Sequence, residues 1–188
     1  KIGLILVNIN PAYRISELEH ALNQVECKAL VTACSFKSSD YVSMIKELAP
    51  EISEDAEKGL NSKRLPHLEH LIAITDQDID GFYRFDEISR EVSEESSVLL
   101  SEKAHSLNPD DPINIQFTSG TTGLPKGATL SHFNILNNAY SVGDAMKFTA
   151  KDRLCIPVPL YHCFGMVMGV LCCLTHGATM IFPGEGFE

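Results

Sequence analysis

Residues 118–127 constrain this chain more than any other segment. Thr118-Ser119-Gly120-Thr121-Thr122-Gly123-Leu124-Pro125-Lys126-Gly127 packs four hydroxyls, three glycines and one lysine into ten positions. The preceding residues Ile113-Asn114-Ile115-Gln116-Phe117 are apolar at every second position, the period of a β-strand. Ala128 to Leu130 is again strand-like, and Ser131 is placed to cap a helix running to about Met146. A strand feeding a glycine-rich loop that leads towards a helix is a unit of α/β folds.

The composition of the loop points to a polyphosphate. Glycines let backbone N–H groups turn inward, Ser and Thr hydroxyls add donors, Lys126 adds a positive charge, and Pro125 stiffens the exit. The common P-loop G-x-x-x-x-G-K-[ST] does not fit. Gly120 and Lys126 have its spacing, but Pro125 stands at its second glycine and Gly127 at the hydroxyl that would hold Mg²⁺. The plain alternative is a Gly/Thr-rich surface turn.

The rest of the chain alternates in the same manner. Gly3 to Val7 reads as a buried strand. Ser16-Glu17-Leu18-Glu19 reads as a capping box before a helix carrying Leu18, Ala21, Leu22 and Val25 on one face, and Ala29 to Thr32 as a second strand. Together these predict a βαβ unit. A helix over 40–48 directs Val42, Ile45 and Leu48 inward, residues 50–64 form a polar loop with a short helix, and Leu71 to Thr75 is a strand. Residues 76–112 are acidic and irregular, with helical patches over 86–92 and 94–104. Arg153 to Val158 is a strand, Phe164 to Leu174 a buried helix stopped by Gly177, and Ala178 to Phe182 a strand. The predicted class is α/β, a largely parallel sheet flanked by helices.

A formal charge of -10 argues against general binding to nucleic acid or anionic membranes, so a site for a polyphosphate must gather its positive charge locally. The six cysteines form no C-x-x-C pair and no N-x-[ST] acceptor occurs, which predicts an intracellular, reducing compartment and no metal cluster. The longest apolar run, Phe164 to Leu174, is too short to span a bilayer. The chain starts at Lys1 and stops at Glu188, each close to a strand, so both ends read as cuts.

At the loop the chain resembles the adenylate-forming superfamily of acyl-CoA synthetases, luciferases and peptide-synthetase adenylation domains. T-S-G-T-T-G-L-P-K-G matches that family's phosphate-loop signature. Asn8-Ile9-Asn10-Pro11-Ala12-Tyr13-Arg14 is similar to the N-I-N-P-x-Y-R stretch of fatty acyl-CoA synthetases, and Pro159-Leu160-Tyr161-His162-Cys163-Phe164-Gly165 to the motif P-L-[FY]-H-x-x-G. The resemblance runs from end to end and is strongest to the medium-chain acyl-CoA synthetases.

The resemblance implies that residues 1–188 are an incomplete piece of the large N-terminal adenylation domain. It implies activation of a fatty acid by ATP, with Mg²⁺, to acyl-AMP and pyrophosphate, then transfer to coenzyme A, and a mitochondrial matrix location. Thr118, Ser119, Gly120, Thr121, Thr122, Gly123, Leu124, Pro125 and Lys126 would bind the β- and γ-phosphates, and His162 would help shape the acyl site. No Y-G-x-T-E or T-G-D segment occurs, so this stretch alone is expected to be inactive. A non-catalytic nucleotide-binding or interaction module is the reading from a different class.

Other motifs compete. Asp76-Gln77-Asp78-Ile79-Asp80-Gly81 with Glu87 has the full spacing of a calcium loop. Its leading segment reads as strand, however, and Arg84 sits at the ninth position, so an acidic solvated turn is expected. His67 and His70 lack a third ligand. His162 is read as a site residue against the alternative of a hydrogen-bonded core histidine. The run 164–171 is read as a core helix against the wall of an acyl tunnel.

Overall fold

Parallel strand pairs with helices beside them make up the computed structural model, which describes residues 2–53, 56–88, 90, 93–118 and 125–184. The chain divides into two units. One is drawn from residues 1–10, 102–118 and 128–188, the other from 11–101 and 119–127.

In the first unit, β1 (Leu6–Asn8) runs parallel to β7 (Pro112–Thr118), with Leu6 opposite Asn114 and Asn8 opposite Gln116. β8 (Lys126–Ser131) follows in the order β1-β7-β8. The period of β7 is as expected, and its most buried positions are the polar ones. Asn114 and Gln116 are buried at 2% and 7% exposure, while Ile113, Ile115 and Phe117 are only half-buried. The amides tolerate burial because they are bonded: Asn114 Nδ2 donates to the Leu6 carbonyl at 3.0 Å, and Gln116 Nε2 donates to Asn114 Oδ1 at 3.0 Å.

Ser131 caps α5 (His132–Ala145) as expected. Its Oγ accepts the Asn134 N–H at 3.2 Å, and its own N–H donates to Asn134 Oδ1 at 3.0 Å. The buried helix expected over 164–174 is two segments, a π-helical stretch Phe164–Leu171 and α6 (Cys172–His176), both packed against α5. Phe164, Met168 and Leu174 remain exposed, while Val167, Cys172 and Cys173 enter the core. Gly177 ends α6 at φ 69°, the left-handed conformation of a helix stop.

The C-terminal strands are also parallel, β9 (Arg153–Cys155) against β10 (Thr179–Ile181). β9 stops three residues before the expected Val158. The Ile156 N–H still reaches the Ile181 carbonyl at 2.9 Å, but Pro157 and Pro159 have no N–H to extend the ladder.

In the second unit, α1 (Ile15–Gln24) buries Leu18, Ala21 and Leu22, and α2 (Tyr41–Leu48) buries Met44, Ile45 and Leu48. The expected Val42 is half-buried and Met44 takes its place. The cap of α1 lies two residues before the expected Ser16 box, where the Arg14 N–H donates to Glu17 Oε2 at 2.9 Å. Asp40 caps α2 by accepting the Ser43 N–H at 3.0 Å.

β2 (Ala29–Ala33) pairs in parallel with β5 (His70–Ile74), which pairs with β6 (Tyr83–Arg84). β3 (Ser35–Phe36) and β4 (Ser39–Asp40) form a small antiparallel hairpin. Residues 50–64 contain one short 3₁₀ turn at Ala56–Lys58, and the acidic stretch contains α3 (Phe85–Ile88) and α4 (Glu94–Ser106).

The predicted βαβ unit does not form. β1 pairs with β7 and β2 with β5, in different sheets. Local periodicity identifies both strands, but pairing is decided by partners about a hundred and about forty residues away, which it does not encode. The α/β class with predominantly parallel pairing stands. Among the described residues no helix is long and apolar enough to cross a membrane.

Candidate functional site

The structure describes the two flanks of the glycine-rich loop. Thr118 is the last residue of β7, at its C-terminal end, and is exposed. Ser119, Gly120, Thr121, Thr122, Gly123 and Leu124 lie outside the described residues. Lys126 opens β8 with an exposed side chain and forms no ion pair among the described residues. Pro125, just before it, is held from α1: His20 Nε2 lies 3.2 Å from the Pro125 carbonyl oxygen. A carbonyl only accepts, so Nε2 carries the hydrogen.

His162 stands in the turn between β9 and the π-helical segment. Its N–H donates to the Pro159 carbonyl at 3.3 Å, and its carbonyl accepts the Met166 N–H at 3.1 Å. Its ring Nδ1 accepts the Phe164 N–H at 3.1 Å, so the side chain caps the helix that follows. That bond assigns the ring hydrogen of the neutral imidazole to Nε2. The Cys163 thiol is 3.8 Å from Nδ1. The His162 side chain is exposed in this chain.

The glycine of this motif has a steric cause. A Cβ on Gly165 would run into the Pro159 carbonyl oxygen and lie 2.8 Å from its carbon and 3.0 Å from the Val158 oxygen. Only a residue without a side chain lets the helix start this close to the His162 turn.

The N-I-N-P-x-Y-R stretch supplies structural contacts. Asn8 Nδ2 donates to the Met166 sulfur at 3.7 Å. The Pro11 carbonyl accepts the Tyr41 hydroxyl at 2.8 Å, and the Arg14 guanidinium donates to Ser38 and Ser39 Oγ at 3.3 and 3.2 Å. Arg14 lines a cleft of about 550 Å³ with Ser16, Glu19, Ser38, Asp40 and Arg64. Arg64 grips Glu19 with two nitrogens, at 2.9 and 2.6 Å, and this hydrogen bonding holds the Glu19 carboxyl below its usual range.

The calcium-like loop is already filled by a cation. Arg84 donates to the Asp76 carbonyl at 3.3 Å, lies 3.4 Å from Asp78 Oδ1 and pairs with Glu87. The segment leading into it is strand β5, as expected. His70 faces the Tyr83 ring at 6.1 Å. Among the described residues no group of three or more His, Cys, Asp or Glu side chains could hold a metal ion. Burial raises the Cys172 and Cys173 thiols above the ordinary range, and all six cysteines are unpaired.

Sequence reading missed His20, Asn114 and Gln116. His20 has no local signal, because its partner is 105 positions away. The two amides, spaced i,i+2 on a strand that feeds the loop, were a signal for a bonded polar face.

The AMP-binding enzyme family matches residues 1–187. The chain belongs to that family. It is 46% identical over 190 residues to the mitochondrial medium-chain acyl-CoA ligase ACSF2 of Danio rerio, covering 100% of this chain and 31% of that protein. The chain thus spans about a third of the length of such relatives. Among solved structures, the fold matches the anthranilate CoA ligase AuaEII in complex with anthranoyl-AMP, with TM-score 0.71 and 22% identity over 98% of this chain and 32% of that one. It also matches the long-chain-fatty-acid-CoA ligase FadD1 of Archaeoglobus fulgidus, with TM-score 0.63 and 26% identity over 93% and 29%.

Proposed function

We propose that the protein is an AMP-forming acid–thiol ligase that activates a fatty acid of medium chain length. The observation that carries the reading is the T-S-G-T-T-G-L-P-K-G loop, placed directly after the C-terminal end of a parallel strand, where open α/β sheets bind their ligands. The 46% identity to a medium-chain acyl-CoA ligase supports the substrate class and a mitochondrial location. In this reading the chain is part of the large adenylation domain.

The first step is attack of the fatty-acid carboxylate on the α-phosphorus of ATP, which forms acyl-AMP and expels pyrophosphate. Charge grows on the departing β- and γ-phosphates, and positioned donors stabilise it most when they need no rearrangement. Thr118, Ser119, Gly120, Thr121, Thr122, Gly123 and Leu124 supply backbone N–H groups and hydroxyls, Pro125 fixes the exit, and Lys126 supplies the charge. In the second step the coenzyme A sulfur attacks the acyl carbon and AMP leaves.

His162 helps shape the acyl site. Its Nδ1 is engaged by the Phe164 N–H, which leaves Nε2–H as the donor for an oxygen of the acid. Exposed Leu160, Phe164 and Met168 offer apolar surface to the alkyl chain. Mg²⁺ arrives with ATP as part of the substrate; none of the described residues is assigned to it.

Incubation of the intact protein with ATP, coenzyme A and saturated acids of graded length tests this reading. Acyl-CoA and AMP in equal amounts, with a maximum at medium length, are expected. A maximum elsewhere overturns the chain-length assignment, and no product with any acid overturns the ligase.

A further inference from the structure

We infer that His20 is a positioning residue for the phosphate-binding lysine, Lys126; the inference builds on the ligase reading above. The observation is the 3.2 Å contact between His20 Nε2 and the Pro125 carbonyl oxygen. The carbonyl of Pro125 and the nitrogen and Cα of Lys126 belong to one peptide plane, which does not twist. A bond to that oxygen therefore fixes the backbone from which the Lys126 side chain springs. Lys126 is itself the first residue of β8.

The imidazole is itself well anchored. His20 lies on α1, whose Leu18, Ala21 and Leu22 are buried. The neighbouring Glu19 is gripped by two nitrogens of Arg64. Pro125 cannot use an N–H of its own to fix the loop exit, so its carbonyl is the available backbone handle there. Holding the lysine before ATP arrives lowers the ordering cost of binding the polyphosphate and leaves the carboxylic acid unaffected.

The test uses His20→Ala and His20→Gln in the intact protein, because the glutamine side-chain nitrogen can donate at similar reach. Two readouts are taken: amide hydrogen exchange in the segment 126–131, and the separate KM values for ATP and acid. In His20→Ala, exchange in 126–131 should accelerate while the core of α1 stays protected. KM for ATP should rise about threefold to tenfold, the loss of one hydrogen bond, with KM for the acid unchanged. His20→Gln should restore both. Unchanged exchange in His20→Ala overturns the restraint on Pro125 whether or not the protein is a ligase. Faster exchange with an unaltered KM for ATP, or with equal shifts in both KM values, overturns the positioning role. Absence of any ATP-dependent turnover in the unmodified protein overturns the ligase reading instead.

Discussion

Replacing Gly165 by alanine should damage both the fold and the site, and the reason is steric. The added methyl would meet the Pro159 carbonyl oxygen and lie 2.8 Å from the Pro159 carbon and 3.0 Å from the Val158 oxygen. All three are backbone atoms, so no side chain can rotate away. Overpacking of this kind costs about 1–3 kcal/mol, while the better helix propensity of alanine returns up to about 1 kcal/mol. With the full return, a net loss of up to roughly 2 kcal/mol follows, or a fall of up to roughly 8 °C in Tm. Because the clash falls on the turn that bears His162, whose N–H bonds to the same Pro159 oxygen, the imidazole shifts as well. A displacement near 1 Å at a reacting centre lowers turnover on the order of 100-fold. Gly169→Ala is the control. The nearest atoms to its methyl would be those of the Ile156 side chain, at 3.1–3.4 Å, which can repack, so stability should change by less than about 1 kcal/mol. Thermal unfolding and acyl-CoA formation, measured on both variants, decide the matter. A Gly165→Ala protein as stable and active as the parent, or a Gly169→Ala protein that is the worse of the two, would refute the reasoning.

Further outcomes are expected. Lys126→Ala should slow acyl-AMP formation far more than it lowers Tm; unfolding without a separate catalytic defect would make the lysine structural. Glu19, with its pKa lowered by Arg64, contributes stability that is present above the unfolded carboxylate pKa and lost as pH falls through the folded value, so Glu19→Gln should flatten the acid limb of the stability–pH curve; an unchanged limb would remove the pair from the account. Millimolar calcium should give no binding heat in calorimetry, because the Arg84 guanidinium already bonds Asp76, Asp78 and Glu87; a saturable heat would contradict that.

Local chemistry explains which parts of the fold were legible in the sequence. Ser131 and Gly177 mark helix ends through short-range bonds and a left-handed φ, and the structure places each where its residue type predicts. Strand partners were not legible. β1 and β2 looked like neighbours across α1, yet their pairing depends on β7 and β5, which lie far along the chain. The burial of the polar positions of β7 was not legible either. It depends on the bonds that Asn114 makes to Leu6 and Gln116 makes to Asn114. At the candidate site, His162 was singled out by its motif, while His20 depends on a single distant contact.

Carboxylate-dependent exchange of labelled pyrophosphate into ATP, measured on the intact protein with medium-chain acids, tests the central claim most directly. The account predicts label in ATP only when an acid is present, and its loss in Lys126→Ala. A folded protein that exchanges no label with any acid would contradict acid activation through an acyl-adenylate.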